Sequence, residues 1–255
     1  MIWLGIWIPF LGTVLGASCV YLLKKCSPLM TRCMSGIAGG VMVAASIWSL
    51  ILPSIEESVY LGKFSFVPCL MGLWLGVVLL LVLDRVIPHM HINQEEEGPE
   101  SHLSKTTKLM LAVTLHNIPE GMAVGVVFAG VLSGQVEMSL LSSFVLAAGI
   151  AIQNFPEGAI LSLPLKNLGM SRHKAFALGA ISGIVEPIAS ILTILFSKWI
   201  LAGLPYFLSF AAGAMLYVVV EELVPEMSEG EHSNWPTICF MIGFTLMMVL
   251  DIALG

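Results

Sequence analysis

Along this chain, apolar runs of membrane-crossing length alternate with short breaks rich in charge, Pro or Gly. Cutting at the breaks predicts eight spans, at 2–23, 34–55, 64–88, 107–131, 137–163, 174–198, 202–224 and 235–254. Each run is continuously apolar and does not alternate. That pattern fits helices of about 20 residues crossing a bilayer, whereas barrel strands show roughly ten residues of alternating polarity. The expected fold is an all-α integral membrane protein of eight transmembrane helices. It forms a single transmembrane domain over 1–255, with residues 89–106 as its main loop. The first run starts at Met1, with no basic stretch before it and no small-residue cleavage site after it, and is read as a retained helix.

Composition agrees with this pattern. Residues are 57% hydrophobic and 11% charged, too few charges to cover a water-facing surface. Basic residues set the orientation. With the N-terminus outside, Lys24, Lys25, Arg32, Arg85, Lys105, Lys108, Lys166, Arg172 and Lys174 all fall on the cytoplasmic side. Only Lys63 and Lys198 fall outside, so both termini are expected to be extracytoplasmic. The net charge of −6 lies largely in "QEEEGPE" and "EELVPEMSEGE", and no basic surface for nucleic acid is expected. The five cysteines form no CxxC pair and are read as small apolar residues.

Two polar motifs interrupt the apolar pattern: "HNIPEG" from His116 in the fourth span and "QNFPEG" from Gln153 in the fifth. Consecutive spans run antiparallel, so the motif recurs on opposed helices. A weaker echo joins spans two and seven: Gly40, Met42 and Leu50 match Gly213, Met215 and Leu223, while Pro53 and Pro225 need a one-residue slip. Inverted repeats with Pro/Gly-interrupted helices are a signature of secondary transporters. At about 100° per residue, Glu120 falls angularly between His116 and Asn117, and Glu157 likewise between Gln153 and Asn154. If the two faces meet, His116 and Gln153 line one position and Asn117 and Asn154 another, with both carboxylates shared. Pro119 and Pro156 free the carbonyls of Leu115 and Ile152, and Gly121 and Gly158 let helices approach closely.

Glu186 falls at the middle of the sixth span, again followed by proline, so three glutamates lie near the bilayer centre. A carboxylate there costs roughly 3 kcal/mol on insertion scales. No Lys or Arg lies at that depth, which leaves a divalent cation or protons as the compensating charge. Imidazole, carboxylate and amide oxygen suit Zn²⁺, Mn²⁺, Fe²⁺ or Cd²⁺, whereas His116 argues against a Mg²⁺ or Ca²⁺ cage.

These motifs, Glu186 and "AAGAMLYVVVEELVPE" in the seventh span resemble the ZIP (Zrt-/Irt-like protein) divalent metal transporters, most closely their GufA-like, prokaryotic-type branch. The resemblance covers essentially the whole chain. It implies an inverted 3+2+3 repeat and a binuclear centre with a primary site at His116, Glu120, Gln153 and Glu157. Asn117, Asn154 and Glu186, with the shared glutamates, match the second site, where some relatives carry aspartate in place of Asn154. The resemblance further implies that spans one, four, five and six move against a scaffold that often forms a homodimer. Cargo would run toward the cytoplasm, in a bacterial plasma membrane.

Other residues carry weaker readings. Met42 and Ser49 match positions along the transport pathway of relatives. Glu221 and Glu222 would form an acidic exit vestibule, and Asp251 would attract cations at the outer end. Asp84 and His89 mark the inner end of span three. His89, His91 and His102, with Glu95, Glu96, Glu97 and Glu100, would receive released metal, or simply belong to a solvated linker. The leading expectation is a divalent-metal importer working by alternating access, with no prosthetic group and no enzymatic activity. An intramembrane metalloprotease lacks its HExxH here. A proton or small-solute carrier, using the glutamates as relays, stays open as the alternative.

Overall fold

The computed structural model describes residues 2–23, 27–90, 96–134 and 139–254. Lys24, Lys25, His91 and Glu95 lie outside them. Eight helices long and apolar enough to cross a membrane run up and down: α1 (Ile2–Leu22), α2 (Pro28–Glu56), α3 (Phe66–Val86), α4 (Lys105–Ser133), α5 (Leu140–Asn167), α6 (Arg172–Leu195), α7 (Leu204–Ser228) and α8 (Trp235–Leu254). The first and last helices therefore have their free ends at one end of the bundle, called here the terminal end; residues 89–90 and 96–106 lie at the other, the loop end.

Helix boundaries follow local chemistry. α2 begins six residues before the predicted span because the Ser27 hydroxyl caps Met30 N–H and Pro28 needs no donor at the first turn. Ser104, Ser139 and Ser171 cap α4, α5 and α6 in the same way. α4 stops at Gly134, whose φ of 60° is left-handed. α6 is broken just before its glutamate: helix ends at Ser182, and Glu186 N–H reaches Gly183 O at 3.1 Å in a tight turn.

α2 and α7 share a different irregularity. Ser46–Ile51 and Val219–Leu223 are π-helical, and in each the residue before the proline donates five residues back, Leu52 to Ile47 O and Val224 to Val219 O. The wider turn relieves the clash that a proline makes inside a regular helix. The π segment of α2 is one residue longer than that of α7 (six against five), and it absorbs the one-residue slip between Pro53 and Pro225.

Four glycine seams divide the helices into two groups. On α1 against α5, Gly12 and Gly16 rest on the backbone of Ala151 and Phe155; on α4 against α6, Gly121 and Gly125 rest on that of Glu186 and Ser190. In the other group, Gly72 and Gly76 of α3 meet Tyr206 and Phe210 of α7, and Gly36 and Gly40 of α2 meet Pro236 and Phe240 of α8. A methyl group at these positions would run into main chain. The seams respect a 3+2+3 inverted repeat: exchanging α1–α3 with α6–α8 and α4 with α5 carries each seam onto its counterpart.

The groups α1, α4, α5, α6 and α2, α3, α7, α8 meet mainly where α2 packs on α5 and α7 on α4. That interface is built from side chains, including buried Met42, Ile150, Met215 and Val218. Of the glycines whose surroundings are described, only Gly149 of α5 reaches across, and it meets the flexible side chain of Met247 on α8.

Candidate metal pathway

Three polar layers follow one another from the terminal end to the loop end, the first and last between the two groups and the middle one among α4, α5 and α6. At the terminal end a cavity of about 590 Å³ is lined by Trp48, Ser49, Glu56, Glu57, Tyr60 and Asp251, among others. Ser49 Oγ donates to Asp251 Oδ1 at 2.7 Å, and the second Asp251 oxygen has no partner among the described residues. The π turn of α2 sets Ser49 toward this cavity. Met42, further along the same helix, is fully buried in the core.

The middle layer is dry. Asn117, Glu120, Gln153, Asn154 and Glu186 are all 0% exposed. Gln153 Nε2 donates to Glu120 Oε1 at 2.6 Å. Asn154 Nδ2 donates to Glu186 Oε2 at 2.7 Å, and Asn117 Nδ2 to Glu186 Oε1 at 3.3 Å. Four oxygens in this layer have no partner among the described residues: Asn117 Oδ1, Glu120 Oε2, Gln153 Oε1 and Asn154 Oδ1. Buried oxygen without a donor costs about 1–3 kcal/mol each, so such a cluster calls for a positive ligand.

Toward the loop end, His116, Glu157, Glu222 and Glu226 line a small pocket of about 40 Å³. His116 Nδ1 lies 2.9 Å from Glu222 Oε2. Glu226 accepts from Ser35 Oγ at 2.7 Å. Glu221, beside Glu222 on the π turn of α7, is exposed.

One side-chain pairing differs from those expected of two facing motifs. Gln153 meets Glu120 as the shared face requires, and Asn117 and Asn154 come together on Glu186, but His116 turns toward Glu222 on α7. Among the described residues, no three His, Cys, Asp or Glu side chains stand close enough to hold a metal ion. The reason is geometric: His116 and Glu157 sit on the pocket side of the motifs, and Glu120 faces the dry layer. Two contributors were missed from sequence. Glu226 lay in plain view in an acidic stretch; Thr13, whose hydroxyl donates to Glu186 Oε1 at 3.1 Å, gave no signal at all in the small-residue run of α1.

The loop end of α3 leads into a short pair of strands. His89–Met90 pairs antiparallel with Glu96–Glu97, and Lys108 Nζ holds Glu96 Oε2 at 2.7 Å. His89 is wholly buried, its Nδ1 2.8 Å from Ile87 O and its Nε2 3.7 Å from Asp84 Oδ1.

A polytopic α-helical protein with buried carboxylates at mid-depth and polar cavities at both ends is built as a membrane carrier. Comparison with known sequences makes that specific. Residues 106–251 match the family model described as ZIP Zinc transporter. Zinc transporter ZIPB of Bordetella bronchiseptica is 37% identical over 96% of this chain and 79% of that protein. Zinc transporter ZIP11 of Homo sapiens is 32% identical over 99% and 96%, and Zinc transporter GufA of Myxococcus xanthus 35% over 86% and 85%. The chain belongs to the ZIP family: a multi-pass metal-ion transporter, and not an enzyme.

Proposed function

We propose that this protein imports divalent transition-metal ions, Zn²⁺ foremost, from the terminal end toward the cytoplasm at the loop end. The observation that carries the reading is the set of four partnerless buried oxygens around Glu120. The names of the relatives, zinc transporters throughout, support Zn²⁺ as cargo; Cd²⁺, Mn²⁺ and Fe²⁺ share its ligand preferences.

Cations gather in the outer cavity, where Asp251, Glu56 and Glu57 supply negative charge. The ion then binds Glu120 with the neighbouring amide oxygens and cancels a charge that is otherwise unfavourable at this depth. Glu157 and His116 complete its coordination as the α1, α4, α5, α6 group shifts against the other four helices. Glu222 and Glu226 draw the ion into the inner pocket. In this reading Glu186, Asn117 and Asn154 form the second position of a binuclear centre.

The test is radiolabelled Zn²⁺ uptake into proteoliposomes by wild type and the double variant Glu120→Ala/Glu157→Ala. We expect uptake to fall to background in the variant, and wild-type uptake to be blocked by Cd²⁺ but not by Mg²⁺. Uptake undiminished in the double variant would sink the proposal and return the solute-carrier reading.

A further inference from the structure

Glu186 differs from Glu120 in one respect: both its oxygens are satisfied. Oε1 accepts from Thr13 and Asn117, and Oε2 from Asn154. The amides also reach main chain, Asn154 Nδ2 to Pro9 O at 3.4 Å and Asn117 Nδ2 to Ser182 O at 3.3 Å. α1, α4, α5 and α6 thus meet on one carboxylate.

Thr13 is seated there by glycines. A Cβ on Gly183, at the break of α6, would lie 2.7 Å from Thr13 Oγ1 and 2.9 Å from Glu186 Oε1. Gly158, of the "QNFPEG" motif, meets the Thr13 carbonyl, and Gly121, of "HNIPEG", meets the backbone of Glu186. Both motif glycines therefore make room for the same pair of residues, one from each side.

The geometry points to Thr13 as a positioning residue that holds Glu186 Oε1 off the cargo ion, so that this oxygen joins a metal in competition with the Thr13 hydroxyl. The inference rests on the transport reading above. Its consequence is a loosened grip: an ion that recruits Glu186 through Oε1 competes with a charge-assisted hydrogen bond, which weakens binding and hastens release. With the hydroxyl gone, Glu186 Oε1 keeps only the long Asn117 contact and gains more from a cation. A hydrogen bond to a charged group is worth enough to change affinity by roughly tenfold.

The experiment compares wild type, Thr13→Val and Thr13→Ser, using equilibrium ⁶⁵Zn²⁺ binding to purified protein, uptake kinetics in proteoliposomes and thermal melting. Thr13→Val, nearly isosteric, is expected to bind Zn²⁺ about tenfold more tightly, with a lower KM and a lower maximal uptake rate. Thr13→Ser, which keeps the hydroxyl, is expected to return to wild-type values. Unchanged or weaker Zn²⁺ binding in Thr13→Val overturns the inference, as does a lowered melting temperature with KM unmoved, which marks a packing role only. Glu120→Ala/Glu157→Ala in the same uptake assay separates the two failures. Uptake lost there but affinity unmoved in Thr13→Val leaves the transport reading standing and removes only the role of Thr13.

Discussion

His116 shows how one side chain can serve two layers of the pathway. It springs from the same helical turn as Asn117 and Glu120, yet its Nδ1 is held at 2.9 Å by Glu222 on the opposing group of helices. That contact draws the imidazole toward the inner pocket and away from the dry layer. Glu222→Gln removes the charge and frees His116 to stay with the ion. Zn²⁺ should then bind more tightly and leave more slowly, with maximal uptake and KM both falling roughly two- to fivefold, the span of a partly exposed ion pair. Uptake measured over a range of Zn²⁺ concentrations would show it. A rise in KM would mean that Glu222 serves capture instead. The acidity of the α7 end is visible in the sequence; its pairing with His116 is not, because that contact depends on how two distant helices cross.

At the scale of the helix, glycine decides which neighbours are fixed and which are free. Gly40 rests on Phe240 main chain, so Gly40→Ala pushes backbone on backbone. Overpacking of that kind costs about 1–3 kcal/mol, and a clear drop in melting temperature is expected. Gly149→Ala meets only the Met247 side chain, which can swing aside, and should melt close to wild type. Equal losses in both variants would contradict the division into two bodies. The eight helices themselves were legible because apolar length is a strong signal. The early start of α2 was not, since Thr31 and Arg32 interrupt the apolar pattern that Ser27 and Pro28 had already opened. The π turns were hidden as well, surfacing only as a misaligned proline.

For the molecule as a whole, the two end cavities lie on the side-chain interface between the two groups, whereas the glycine seams and the buried layer around Glu186 lie within them. The alternating access proposed above would need such a separation: a surface that can repack between two bodies that cannot. The inverted repeat was legible in its strongest part, the two motifs on α4 and α5, where polar residues stand out against an apolar background. The pairing of seams was beyond reach, because glycine is common in membrane helices and its partners come from remote sequence.

The two π turns bear on how such a pathway can be altered over generations. A turn closed five residues back holds one residue more than an ordinary helical turn, so it is in effect an insertion that the helix has swallowed. Gaining or losing that residue rotates one face by about 100° and leaves the helix on either side in register. Each half of the repeat carries its own such insertion, one turning Ser49 to the outer cavity and the other Glu222 to the inner pocket. Deleting Ile51 should therefore yield folded protein, by size-exclusion profile, where deleting Val78 from the regular α3 does not. Equal yields from the two deletions would argue against it. The polar cavities at the two ends of this carrier can each be re-aimed by a single codon, without rewriting the other.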